Sequence, residues 1–209
     1  MNSYHTALAL VPPNDDVECW KRLQEIRYRL QDKGYYRWPP HINLFYPFIE
    51  TCDFQTILPQ IAHELREMSP FQVHLDGFGT FGGRDRGVCF LSPQPEREVC
   101  AIHSAIKPVL QSTGSKRFHP HMTVTHCESG NEAQEIAARE SETWEPLSFL
   151  VDAVYVLQRH GADGQYFVAA RLPLGQSVVE EQPMTFDHMP TEQEDWIKDK
   201  RGSRRDRKK

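Results

Sequence analysis

Two short stretches constrain this chain more than anything else in it. "PPHINLFYPF" runs from Pro39 to Phe48 and "HPHMTVTH" from His119 to His126. Each opens an apolar, β-prone run with a histidine, followed two positions later by a hydrogen-bonding side chain. Side chains alternate across a strand, so residues i and i+2 share a face. His41 and Asn43 then point one way and Ile42 and Leu44 the other, while His121, Thr123 and Thr125 share a face opposite Met122 and Val124. The apolar sets suit a helix-covered core, which leaves the polar sets free to line a groove.

The surroundings of the two stretches repeat as well. "YHTALALV" from Tyr4 to Val11 alternates as a first strand. Asp15 or Asp16 can cap a helix that buries Val17, Trp20, Leu23, Ile26 and Leu30, with Gly34 as its stop signal. The first histidine strand follows. A second helix carries Ile57, Leu58, Ile61, Leu65 and Met68, with Thr56 as its cap and Pro59 in the first turn. Two strands, Phe71 to Leu75 and Val88 to Leu91, flank the glycine-rich "GFGTFGG". A third helix places Val99, Ile102, Ile106 and Leu110 at helical spacing before the second histidine strand. A fourth lies within Asn131 to Ser141, and a hairpin of Phe149 to Gln158 and Gln165 to Leu172 turns at "RHGADG". The unit of helix, histidine strand, helix and strand pair thus occurs twice. The expected class is α+β, with two antiparallel sheet lobes related by a pseudo-twofold axis, helices outside and a central groove between the histidine strands.

A pair of imidazoles across a groove suits phosphodiester chemistry. A neutral histidine takes the proton of the attacking water or hydroxyl, and a protonated one gives a proton to the departing oxygen. An ordinary pKa near 6.5 lets histidine serve either role near neutrality. Asn43 and Thr123 can donate hydrogen bonds to non-bridging phosphoryl oxygens, where charge must be stabilised. The scheme requires no metal and no cofactor.

These motifs resemble those of the 2H phosphoesterases, which include RNA 2′,3′-cyclic phosphodiesterases and the 2′-5′ RNA ligases. That family carries a pair of His-x-Thr/Ser-hydrophobic motifs about 80 residues apart on a bilobal α+β fold. "HMTV" from His121 fits fully; "HINL" from His41 departs by placing Asn43 where Thr or Ser is usual. "LDGFGTFGGRDRGVCFL" looks like the family's Gly-Phe turn before a strand and "YFVAARLPL" like its closing strand, so the likeness spans Tyr4 to Leu174. It implies a hydrolase acting on RNA or nucleotides, on a 2′,3′-cyclic phosphate or a 2′-5′ bond, with His41 and His121 as the catalytic pair and Asn43 and Thr123 on the phosphate. Reversible 2′-5′ RNA ligation is the alternative activity, and a non-catalytic RNA- or nucleotide-binding module the alternative class.

Residues beside the motifs are candidate substrate contacts. Phe45, Tyr46 and Phe118 could stack on bases or pack in the core. Arg37, Lys116 and Arg117 could hold phosphates, and His119 could edge the groove. His119, His121, His126 and Cys127 lie close enough in sequence for a metal site, but no carboxylate or CxxC completes the shell and none is expected. "GFGTFGG" lacks the Lys-Ser/Thr of a phosphate-binding loop.

At 209 residues with 39% hydrophobic and 25% charged side chains, the composition is that of a globular protein. Five cysteines without close pairs favour reduced thiols inside a cell. No apolar run reaches the roughly 18 residues of a membrane span, and the start of the chain lacks the basic and cleavage features of a secretory signal. The net charge of −5 hides an asymmetry: Lys198 to Lys209 carries eight Lys/Arg against two Asp. The expected division is therefore a domain over 1–176 and a flexible, acidic-then-basic tail over 177–209. The tip 198–209 could contact nucleic acid or serve nuclear import, so the protein is expected in cytoplasm or nucleus, as a monomer.

Overall fold

The computed structural model describes residues 2–111 and 117–196. Along the chain come β1 (Asn2–Ser3), β2 (Thr6–Leu10), α1 (Val17–Arg29), β3 (Ile42–Phe45), β4 (Phe48–Ile49), a 3-10 turn (Thr51–Asp53) and α2 (Phe54–Leu65). Then follow β5 (Phe71–Gly82), β6 (Gly87–Gln94), α3 (Glu96–Ile106), β7 (Met122–Cys127), α4 (Gly130–Ser141), β8 (Leu147–Val151), β9 (Ala153–Arg159) and β10 (Tyr166–Pro173). Eight strands form one antiparallel sheet in the order β10-β9-β2-β3-β7-β6-β5-β8, and β1 pairs with β4. The two histidine strands, β3 and β7, are central neighbours, with three strands beyond each. Ile42 pairs with Met122 at this joint, so the strands form one continuous sheet rather than two separate ones.

Local chemistry explains most of the boundaries. Asp16 accepts the amide of Cys19 at 3.2 Å and so satisfies one of the free donors at the start of α1. Trp20, Leu23 and Ile26 are buried while Val17, expected to be buried, is 58% exposed. The helix ends at Leu30, before the expected stop at Gly34, because Gln31 turns into the left-handed region at φ 51°. The second helix starts at Phe54 rather than beside Thr56, which places Pro59 inside it. Pro59 and Gln55 both lie on the exposed face, where the carbonyl that loses its partner is hydrated. The strand expected from Phe149 to Gln158 is divided: β8 joins β5 while β9 joins β2 and β10. Most of "GFGTFGG" belongs to β5, and the bend falls after it.

The main core lies between helices and sheet and includes Leu8, Leu10, Ile42, Leu44, Leu91, Met122 and Val124. A second cluster gathers Ala7, Ala9, Val11, Trp20, Tyr166 and Phe186. Phe186 corrects the expectation of a loose chain end from Ser177 onward. Glu180 and Met184 form antiparallel bridges to Arg171 and Val168 of β10. Phe186 is buried beside Trp20 at 5.2 Å between ring centroids, worth about 1.5–3 kcal/mol of transfer free energy. One well-placed aromatic and a few edge hydrogen bonds thus dock a segment whose composition is that of a tail. Residues 198–209 lie outside the described residues.

Candidate functional site

The joint between β3 and β7 assembles the candidate residues. Ile42 and Met122 are cross-strand partners and both fully buried, so they share the core face. Continuing that antiparallel register by one residue puts His41 across from Thr123 and Asn43 across from His121, all on the opposite face. Direct neighbours in such a pair have Cβ atoms about 4.5–5.5 Å apart and diagonal ones about 7–8 Å. The two histidines are therefore diagonal partners, separated by about the breadth of one phosphate group with its hydrogen bonds.

Both rings are anchored in the same way. His41 Nδ1 lies 2.7 Å from the Pro39 carbonyl and His121 Nδ1 lies 2.8 Å from the His119 carbonyl. A carbonyl only accepts, so each Nδ1 carries a proton and each Nε2 is left for the groove. At His121, Nε2 has no hydrogen-bond partner among the described residues. At His41 it accepts from the Asn43 side-chain amide at 2.8 Å. The Asn43 carbonyl oxygen is buried without a partner among the described residues, which costs about 1–3 kcal/mol.

The rings differ in their surroundings too. Trp38 stacks on His41 at 4.7 Å and 18°, and itself stacks on Tyr166 at 3.7 Å. Burial pushes the His41 imidazole down to about 4, helped by Arg27 and His121 and opposed by the Pro39 carbonyl. His121 instead meets ring edges, Phe81 at 5.0 Å and Phe90 at 5.4 Å. Its pKa is lowered as well, again chiefly by burial. Gly79 makes this wall possible, since a Cβ there would come within 2.5 Å of the Phe90 ring.

Past each motif the alternation slips. On β3, Asn43 pairs with Ala9 but Phe45 with Leu8, so Leu44 is an extra residue. On β7, Thr123 pairs with Phe90 but Thr125 with Cys89, so Val124 is an extra residue. A bulge turns every later side chain to the other face. Phe45 and Thr125, expected beside their histidines, therefore face the core, and Thr125 donates to the Leu30 carbonyl at 3.0 Å. Tyr46 and His126 take their places on the groove side. Phe45 and Phe118 sandwich His103 of α3, at 4.6 and 4.0 Å, and neither lines the cleft.

That cleft has a volume of about 1080 Å³ and is lined by Lys33, Arg37, Trp38, Tyr46, Phe81, Arg84, Asp85, Arg86, His126 and Arg159 among others. His41, Asn43, His121 and Thr123 are not in its lining but border it through Trp38, stacked on His41, and Phe81, against His121. Five cationic side chains against one carboxylate, in a chain of net charge −5, make it a focus of positive potential. Arg37 and Tyr46 stand in it as candidate contacts. Arg117 is exposed away from the lining, His119 approaches Glu96 at 3.5 Å, and Lys116 lies outside the described residues. His126 turns to Asp32 instead, so the histidines whose spacing raised a metal site diverge. Sequence reasoning missed Trp38, Phe81 and Phe90, and it weighed His126 only as part of a metal cluster. A Trp three residues before His41 was the one visible signal; the others depend on strand register.

Comparisons with known proteins place the chain in a family and a fold. A family model described as the 2′-5′ RNA ligase superfamily matches residues 15–163. A search of curated protein sequences gives no significant match. Among solved structures, Escherichia coli LigT complexed with 3′-AMP is similar over 83% of this chain and 99% of its own, at 18% identity and a TM-score of 0.56. LigT complexed with NADP+ gives 0.54 at the same coverage. TT0787 of Thermus thermophilus gives 0.55 at 19% identity over 82% of this chain and 98% of its own. These likenesses establish a common fold. With the family match over most of its folded length, the chain belongs to the 2′-5′ RNA ligase superfamily, the 2H phosphoesterases.

Proposed function

We propose that the protein is a metal-independent phosphodiesterase acting on RNA or nucleotides, opening a 2′,3′-cyclic phosphate or cleaving a 2′-5′ bond. The observation that carries this reading is the pair of identically anchored imidazoles, diagonal across the β3–β7 joint and flanked on the same face by Asn43 and Thr123. The matching bulges and the four-plus-four strand order support two halves related by a pseudo-twofold axis. The nucleotide complexes of the LigT relative support the substrate class.

His41, kept neutral by burial, acts as the base. Its Nε2 takes a proton from water as the water oxygen attacks phosphorus. His121, protonated, gives its Nε2 proton to the ribose oxygen as the P–O bond breaks, leaving a phosphomonoester and a free hydroxyl. Thr123 and the Asn43 amide donate to the non-bridging oxygens as charge builds there. The Asn43 amide must leave His41 Nε2 for this to happen, and substrate phosphate supplies the alternative acceptor.

That hold of Asn43 on Nε2 also favours the second reading, a module that binds nucleotides without turnover. Incubation with 2′,3′-cyclic nucleotides, cyclic-phosphate-ended RNA and 2′-5′ oligoadenylate, with and without EDTA, separates the two. Turnover lost in both His41→Ala and His121→Ala supports the enzyme; binding without turnover supports the module. The free thiols, of which Cys19, Cys89 and Cys127 are buried, suit a reducing compartment. No helix among the described residues is long and apolar enough to cross a membrane. Deleting 198–209 is expected to weaken RNA binding and flatten its salt dependence.

A further inference from the structure

We propose that His126, held by the buried Asp32 carboxylate, grips the phosphate one nucleotide beyond the scissile one, so that the cleft selects oligonucleotides over mononucleotides. The proposal rests on the phosphodiesterase reading above and extends it to a second subsite.

Three observations carry it. The bulge at Val124 turns His126 out of the core and onto the face of His121 and Thr123, where it lines the cleft. Behind it, Asp32 accepts from Nδ1 at 3.2 Å while being itself 1% exposed. Asp32 is fixed in turn by the Arg27 guanidinium, 2% exposed, at 3.0 Å, and by the Gly34 amide at 3.1 Å. Burial alone would raise the Asp32 pKa, but Arg27, His126 and the Gly34 amide together hold it below the ordinary value, so the carboxylate is ionised. A buried ion pair of this kind stands only when its remaining hydrogen-bonding capacity is filled, and the imidazole of His126 helps to fill it. With a carboxylate at Nδ1 and an anion at Nε2, the ring carries both N–H groups and donates to each.

The position decides what is gripped. His126 pairs with Val88 and Thr123 with Phe90, two rungs apart, so the bulge leaves them about 7 Å apart along the strand at about 3.3 Å per residue. Measured from His121, the other end of the pair, the separation is four rungs or about 13 Å, more than one phosphate with its hydrogen bonds spans. Lys33, Arg84 and Arg86 line the same cleft as His126 and favour a second anionic group in it. Arg27 also donates to the Trp38 carbonyl at 2.9 Å, so one buried guanidinium braces both the ring over His41 and the carboxylate behind His126.

The test compares kcat/KM for a 2′,3′-cyclic mononucleotide and for a trinucleotide ending in the same cyclic phosphate. Wild type is expected to prefer the trinucleotide. In His126→Ala that preference falls by about tenfold or more, the scale of a lost charge-assisted hydrogen bond, and the change lies in KM. His126→Arg, which keeps a cation without needing Asp32, restores it. Asp32→Asn lowers the preference in the His126 protein and has little effect on it in the His126→Arg background, with thermal melts confirming that each variant folds. A preference unchanged in His126→Ala, or lost equally in His126→Arg, overturns the proposal. If wild type turns over neither substrate, the phosphodiesterase reading fails instead. Equilibrium binding of a 3′-phosphorylated trinucleotide and a 3′-mononucleotide then reads the grip alone: a selective loss for the trinucleotide in His126→Ala supports it, and an equal loss for both overturns it.

Discussion

The two histidine strands are built on one plan and finished differently. Each holds its ring by Nδ1 to the carbonyl two residues back, and each carries a bulge at the fourth motif position. At β3 the ring is covered by Trp38 and its Nε2 is engaged by Asn43. At β7 the ring meets only the edges of Phe81 and Phe90, and Thr123 leaves Nε2 open. A shared backbone frame thus fixes where the nitrogens point, while the side chains around them set which proton state each prefers. A base with a lower pKa than its acid partner places more molecules in the working protonation state than two identical imidazoles would.

The largest expected effect breaks the pair outright. His41→Ala and His121→Ala are each predicted to lower kcat by roughly 10²–10⁴, the range for loss of one general acid or base. If the two act as a unit, the double variant is little worse than either single one. Additive losses measured in steady-state kinetics would mean that they do not share a step.

Next in size is the pH profile of kcat/KM, which reports the free enzyme. Both rings have lowered pKa values, so the bell is expected to peak below pH 6.5, rising through His41 near 4 and falling through His121. Trp38→Ala hydrates His41 and shifts the acid limb upward; Phe81→Ala shifts only the alkaline limb. Movement of the same limb by both variants would contradict the division of roles.

Asn43→Thr is expected to raise kcat by a few-fold at most, by freeing His41 Nε2 in the resting state. A large loss would show that the amide itself is needed in the transition state.

The smallest effect is on stability. His41 takes up its proton at lower pH folded than unfolded, so its contribution is present above about pH 6.5 and declines as pH falls toward 4. The decline is at most about 3 kcal/mol. Urea melts of wild type and His41→Gln should show a shallower pH slope in the variant over that window.

Much of this was legible in the residues. Period-two alternation placed His41 with Asn43 and His121 with Thr123, and helical spacing identified the first three helices, because both signals are local. The failures are non-local. One extra residue in a strand is defined only by its partner, so alternation kept Phe45 and Thr125 on the groove face and hid His126. Pairing with β6 and β2 reverses both. The stack of Phe45 and Phe118 on His103 likewise joins three separate elements. The segment around Phe186 was hidden by its composition, since one buried ring leaves no periodicity.

The inequality of the two rings is tested most directly by nitrogen-15 NMR titration of the free protein, with His41→Gln and His121→Gln assigning the signals. The account predicts Nδ1-protonated neutral rings at pH 7, His41 staying neutral until about pH 4 and His121 taking its proton at a higher pH. Titration of both rings together near 6.5, or of His41 above His121, would contradict it.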